Sequence, residues 1–391
     1  MAWNFVLRKD GAFDEGDLLL ISGMKKTFLT SLALAGFAFA DSTVVFVGSG
    51  SDGIYTLKLD ETSGALTDRQ QPVKGNDMSF QELRSDGKVI FSTKSVEKAG
   101  GAASFSVEGA KLTLLSEQSY EGRGLCHVSL DRKDGVLFGA DYGGGKVVSF
   151  PVGQDGKIGP VASLFTHVGS SVNPQRQKEP HAHSVFVGPD NKFAYAPDLG
   201  MDQVKFYSFD ATSAVMKDEG GFAVPAGSGC RHMKFGKEGQ FAYVLNEFNL
   251  TVTTFARSNK TGRLTQLKTV SVLPKGGDAS EMSCSEIRVS QDGKFLYTAN
   301  RDLTEKKRDS VSVLKVGAEG ALDHVQTAPA EVWIPRNINL SPSGDWLLVA
   351  GQNSHEVTSH KVDQKTGKLT FSGHRVEVPT AMCINFAKSV N

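Results

Sequence analysis

Short apolar runs joined by a polar turn recur along this chain. Leu83-Arg84-Ser85-Asp86-Gly87-Lys88-Val89-Ile90-Phe91 has close copies in Val289-Ser290-Gln291-Asp292-Gly293-Lys294-Phe295-Leu296-Tyr297 and Leu340-Ser341-Pro342-Ser343-Gly344-Asp345-Trp346-Leu347-Leu348. Asp134-Gly135, Asp190-Asn191 and Glu238-Gly239 mark further copies. The second turn residue thus falls at 87, 135, 191, 239, 293 and 344, with gaps of 48, 56, 48, 54 and 51 residues. Asp-Gly and Asp-Asn pairs tolerate the positive φ of a tight hairpin, and the flanking Val, Ile, Phe, Tyr and Leu suit half-buried strands. Each marker therefore joins two antiparallel strands. Most units continue into another apolar stretch, as at 204–209, 251–255 and 310–314, and the mature chain shows no helical period. A four-stranded unit repeating every 50 residues or so is the blade of a β-propeller.

Six markers account for six blades. Residues 43–47 and 53–57 read as the later strands of a unit whose first strand is missing, and Pro379-Thr380-Ala381-Met382-Cys383-Ile384-Asn385-Phe386 is similar to Pro335-Arg336-Asn337-Ile338-Asn339-Leu340, which opens another blade. The C-terminus is expected to complete the first blade, closing an all-β, seven-bladed β-propeller over residues 41–391.

The N-terminus has a different character. Met24-Lys25-Lys26, an apolar run at 28–37 and Ala38-Phe39-Ala40 have the layout of a secretory signal peptide over 24–40, with cleavage expected before Asp41. The run is shorter than the roughly 20 residues of a membrane span, so no span is expected once the signal is removed. Residues 1–23 lie upstream of Met24, show no repeat, and are set apart as an extension of doubtful status. A secreted or periplasmic protein is expected. The 43 basic and 43 acidic side chains cancel, which leaves no global positive field to draw in nucleic acid or an anionic membrane. Four cysteines are too few for a disulfide scaffold, and Cys serves well as a small buried residue. Asn249 and Asn259 open Asn-x-Thr sequons, which carry glycans only in a eukaryotic secretory route.

In a propeller, equivalent positions of every blade lie on one ring around the axis. Eight residues before the marker, where the inner strand begins, stand Ser79, His127, His183, Arg231, Ser285 and Arg336. Seven and eight residues after it stand Lys94 and Ser95, Asp198 and Leu199, Asn246 and Glu247, Asn300 and Arg301, Gly351 and Gln352; Asp141 and Tyr142 join them if the third blade carries one deletion. The start of one strand and the end of its antiparallel neighbour lie at the same end, so both rings are expected at one mouth of the channel. Asp141, Asp198, Asn246 and Asn300 read as turn caps. His183, Arg231, Glu247 and Arg301 read as functional, because charges on an axis are costly unless paired or used. A cationic cluster holds a carboxylate or phosphate and stabilises an oxyanion, while a His or carboxylate activates water. That scheme needs no metal and no cofactor. His181 and His183 share a face as alternate strand residues, but no further spaced ligand set accompanies them.

Six short motifs occur in order: Pro180-His181-Ala182-His183-Ser184, Gly229-Cys230-Arg231-His232, Asn246-Glu247, Ser285-Glu286-Ile287 with Asn300-Arg301, Pro335-Arg336-Asn337 and Gly351-Gln352-Asn353-Ser354-His355. With them, over nearly all of residues 42–391, the chain resembles the lactonase family of seven-bladed propellers typified by bacterial 6-phosphogluconolactonase and the fungal carboxy-cis,cis-muconate cyclase. The resemblance implies hydrolysis of a sugar-type lactone. It makes His183, Arg231, Glu247 and Arg301 the catalytic residues, with His183 or Glu247 activating water. Arg336, His127, His181 and Gln352 are then expected substrate contacts, and the partner a small anionic lactone or sugar acid. Two features depart from the family pattern. Cys230 replaces the usual Pro of Gly-Pro-Arg-His, and an exported chain would not meet the phosphorylated cytosolic substrate of the familiar members. A lactone-forming cycloisomerase acting on a carboxylated diene and a non-catalytic extracytoplasmic binding propeller are the rival readings.

Overall fold

The computed structural model describes residues 42–97 and 99–387; the signal-peptide reading at 24–40 and the extension at 1–23 lie outside them. Among the described residues the strands form seven antiparallel sheets. Six of these occupy successive stretches of chain, at 81–119, 127–166, 186–223, 230–271, 282–329 and 335–377. Within each, spatial order follows sequence order, so each blade is a meander. The seventh joins the two ends of the chain: Ala381–Phe386 pairs with Ser42–Ser49, which is followed by Gly53–Asp60 and Leu66–Thr67. Val45 lies opposite Phe386 and Val47 opposite Ile384. The first strands of neighbouring blades touch around most of the ring, the fourth blade meeting Cys230–Phe235 of the fifth through Phe193–Asp198, and Ala381–Phe386 closes it against both Pro335–Leu340 and Gln81–Leu83. No helix among the described residues is long and apolar enough to cross a membrane.

A strand with apolar side chains on both faces needs cover on both, and a ring of like units provides it. Each blade therefore packs on the next. Phe138, Ala194 and Tyr207 meet between the third and fourth blades, and Tyr243, Leu296 and Leu314 between the fifth and sixth. Leu57, Trp346, Leu348 and Ile384 form the corresponding core across the closure. There the Trp346 indole N–H donates to the Glu61 carbonyl at 2.9 Å, and the Ser359 hydroxyl to the Gly64 carbonyl at 2.6 Å. Because the apolar cores lie between blades, the axis is left to polar side chains.

The turn residues set the register of what reaches that axis. Gly87, Asn191, Gly239, Gly293 and Gly344 hold φ between 54° and 77°. In the third blade the positive φ of 59° belongs to Asp134, not to Gly135. This shifts the blade by one residue from the sequence reading. Cys126, not His127, then stands eight residues before the turn position and Asp141 seven after it, so no deletion is needed. Pairing agrees: His127 lies opposite Ala140 as His232 lies opposite Leu245. His127 is one step deeper than expected.

Candidate active site

Three inner strands carry a bulge near the mouth of the channel, with the register slipping between Cys230 and His232, Cys284 and Ile287, and Pro335 and Asn337. A bulge re-aims side chains that a regular strand would send to opposite faces. Consecutive pairs, Arg231 with His232 and Arg336 with Asn337, accordingly reach one axial pocket of about 250 Å³. Ser79, Phe80, Arg123, Leu125, Cys126 and Met382 complete much of its wall.

Guanidinium groups dominate the mouth. Glu247 Oε2 accepts from Arg231 Nε at 3.1 Å and lies 3.2 Å from Arg301 Nη2, while its Oε1 accepts from Arg176 Nη2 at 3.3 Å. Burial would raise the Glu247 pKa, but the fields of Arg301, Arg231, Arg176 and Arg336 outweigh it and hold the carboxyl at about 2. A carboxylate so engaged is a poor proton acceptor near neutral pH and a good anchor for arginines. Arg231 also donates to the Ser285 carbonyl, and Arg301 to the Cys284 carbonyl at 2.8 Å. Arg336 differs from these. It is half-buried on the pocket wall, and its guanidinium has neither hydrogen bond nor ion pair to any described residue. Burial, then the neighbouring charges of Arg231 and Arg301, lower its pKa to about 9, so it stays cationic at neutral pH.

Beneath the arginines lies a second polar layer. His232 Nδ1 is 3.0 Å from Glu286 Oε1, and its Nε2 is 3.2 Å from Arg231 Nη1. Glu286 is fully buried and also accepts from Arg288 Nη1 at 3.0 Å, the Ile287 N–H at 2.9 Å and Asn337 Nδ2 at 2.6 Å. Burial opposes its ionisation, yet Arg288 and His232 hold its carboxyl well below the usual range. His127 packs against Phe80, Phe186 and His232 with ring centroids 4.3, 4.9 and 5.3 Å away.

The residues singled out from sequence are distributed unevenly. Arg231, Glu247 and Arg301 are brought into one ion-paired cluster, and Arg231 and Arg336 share the pocket wall. His183 is buried beside it, with Nδ1 3.9 Å from Cys126 Sγ and its ring 5.4 Å from that of His232. Burial, then the charge of Arg231, push its pKa well below the usual value, so it is neutral. His181 stacks on Tyr142 at 4.4 Å, its Nδ1 2.9 Å from the Tyr142 carbonyl. Gln352 is half-buried, and the structure shows only its backbone N–H bonded, to Ile334. Asp141 and Asp198 accept turn N–H groups, and Asn246 and Asn300 donate to hydroxyls of the next strand. All four cysteines are free. The sequence reading placed His232, Glu286 and Asn337 within family motifs but gave them no role in the site. Each directly follows a ring residue, Arg231, Ser285 or Arg336, and a regular strand would turn it away from the axis.

Comparison with known proteins accords with this architecture. The family described as lactonase, 7-bladed beta-propeller, matches residues 43–386. The chain is 29% identical over 348 residues to a 6-phosphogluconolactonase of Bacillus subtilis, covering 88% of this chain and 97% of that protein. It is 29% identical over 359 residues to a 6-phosphogluconolactonase of Formosa agariphila, covering 88% and 98%. The solved structure of a periplasmic gluconolactonase of Pseudomonas aeruginosa superposes with a TM-score of 0.82 at 28% identity, covering 89% of this chain and 99% of that one. With its seven blades, ring closure and family match together, this chain belongs to the seven-bladed β-propeller lactonases.

Proposed function

We propose that the axial pocket hydrolyses a sugar-type lactone bearing, or developing, negative charge. The observation that carries this reading is the pair of guanidiniums on the pocket wall, Arg231 held in place by Glu247 and Arg336 without a hydrogen bond or ion pair among the described residues. An unpaired, half-buried cation is costly unless something completes it, and a carboxylate, phosphate or carbonyl oxygen going to oxyanion does so with charge-assisted hydrogen bonds. In this scheme Arg231 and Arg336 bind the anionic group and the tetrahedral oxyanion. Arg301 and Glu247 fix Arg231, while buried neutral imidazoles, His183 among them, stand close enough to the wall to handle protons. His127, His181 and Gln352 would shape the surroundings of the bound sugar. The relatives' names support lactones of gluconate as the first substrates to try. We propose further that the protein acts outside the cytoplasm, on the strength of the leader pattern at 24–40 and of the periplasmic Pseudomonas enzyme it is similar to.

The test is a pH-stat screen of protein beginning at Asp41 against glucono-1,5-lactone, its 6-phospho form and other sugar lactones, with spontaneous opening subtracted. On whichever lactone turns over, Arg231→Ala lowers kcat/KM at least tenfold, about 1.4 kcal/mol of transition-state stabilisation. An unchanged kcat/KM would remove Arg231 from the site.

A further inference from the structure

We infer that His232, oriented by Glu286, is the general base of the pocket. The assignment rests on the lactone-hydrolysis reading above and deepens it. Two constraints set the state of the imidazole. A carboxylate only accepts and a guanidinium only donates. Glu286 at 3.0 Å therefore requires a proton on Nδ1, and Arg231 Nη1 at 3.2 Å requires a lone pair on Nε2. His232 is thus a neutral Nδ1–H imidazole with its basic nitrogen on the side of Arg231, and the residue lines the pocket. Glu286 in turn cannot swing away, because Arg288, the Ile287 N–H and Asn337 occupy its remaining acceptor sites. A nucleophile-activating base whose far nitrogen is anchored by a third group is the arrangement that water activation needs. Neither Glu247, locked among arginines, nor His183 is among the residues that wall the pocket.

The proposed step balances as follows. When an anionic group of the substrate engages Arg231, the planar guanidinium shifts toward it as a unit, the Nη1 contact to Nε2 opens, and a water molecule takes its place. The water oxygen attacks the lactone carbonyl carbon, and its proton passes to Nε2. The carbonyl π pair becomes the oxyanion held by the arginines. As the tetrahedral centre collapses, the ring C–O bond breaks and His232 returns the proton to the departing alkoxide. The hydroxy acid formed then loses its carboxyl proton to solvent. No oxidant, reductant or second substrate enters.

Charged and titratable groups reach His232 from every side. They are Arg231 and Lys234 on its own strand, Glu286 and Arg288 on the next blade, and the His127 and His183 rings from the third and fourth. Burial lowers the His232 pKa to about 4, Glu286 opposing and Arg231 reinforcing the shift. Removing the Glu286 charge must therefore lower it further. Kinetics of wild type, His232→Asn and Glu286→Gln on the lactone that wild type hydrolyses, starting with glucono-1,5-lactone, test the assignment between pH 3.5 and 8. Asn keeps a donor for Glu286 but has no basic nitrogen. His232→Asn is expected to lower kcat at least 100-fold with KM within threefold and an unaltered thermal melt. Glu286→Gln is expected to move the acid limb of kcat/KM to lower pH, a readout that a purely structural role would leave in place and that decides the matter if His232→Asn does not fold. Retention of kcat within threefold by His232→Asn, or an acid limb unmoved in Glu286→Gln, overturns this assignment alone. Failure of wild type to hydrolyse any lactone overturns the hydrolytic reading and this assignment with it.

Discussion

Replacing Glu247 by Gln removes one charge from the centre of three guanidiniums while keeping the side chain's size. In the folded protein the carboxyl is held at about 2 rather than the ordinary 4.5. At about 1.4 kcal/mol per tenfold change in proton affinity, that difference contributes about 3 kcal/mol to folded-state stability near pH 7. Loss of one member of a buried ion pair has a cost of the same order. For a domain of about 350 residues the unfolding entropy is about 0.7 kcal/mol/K, so the variant should melt about 4 °C lower at pH 7. The pH dependence follows from the direction of the shift. A depressed folded-state pKa gives stability that is complete above the unfolded value of 4.5 and is lost as pH falls toward about 2. At pH 3 the unfolded carboxyl is already protonated while the folded one is mostly ionised, and about 1.4 kcal/mol, or about 2 °C, should remain. Paired melts of wild type and Glu247→Gln by circular dichroism at pH 7, 5 and 3 measure this directly, since the other titrations cancel in the difference. Equal melting temperatures at pH 7 would mean that Glu247 does not stabilise the cluster. A gap that stays constant down to pH 3 would mean that its charge is not what matters.

Two further outcomes follow from the same structure. Arg336→Met should raise KM for a phosphorylated or carboxylated lactone at least tenfold and for its neutral counterpart less than threefold, without loss of thermal stability, because the guanidinium has no described partner to lose; equal effects on both substrates would take Arg336 out of anion binding. Ile384→Ala, in the strand that closes the ring and fully buried, should cost about 3 kcal/mol and lower the melting temperature by about 4 °C, whereas Leu114→Ala, at 49% exposure, should change it by less than 1 °C. Similar shifts in the two variants would argue against a closure that depends on packing of the last strand.

Much of this molecule was legible as local pattern. Strand alternation and positive-φ turn residues repeat every 50 residues or so, and each blade meets only its neighbours, so counting units was enough to obtain seven blades and the C-terminal closure strand. The family motifs could be read in the same way. The errors arose where one residue mattered. Asp134 rather than Gly135 takes the left-handed position in the third blade, and both residue types tolerate it, so nothing in the composition of the turn distinguished them.

The polar axis belongs to a different level of organisation. His183, Arg231, Glu247, Arg301 and Arg336 could be nominated from register because rings follow from repetition. Which of them pair, which face the pocket and which stands alone depend on side chains from five blades converging within a few ångströms, and the bulges at Arg231, near Glu286 and at Arg336 decide that convergence. Strand periodicity sends His232, Glu286 and Asn337 outward; the bulges turn them inward, into the hydrogen-bonded layer beneath the arginines. Blade number is set by interactions a few residues apart, whereas the electrostatics of the axis are set by contacts between residues about 50 positions apart, and those exist only once the ring has closed.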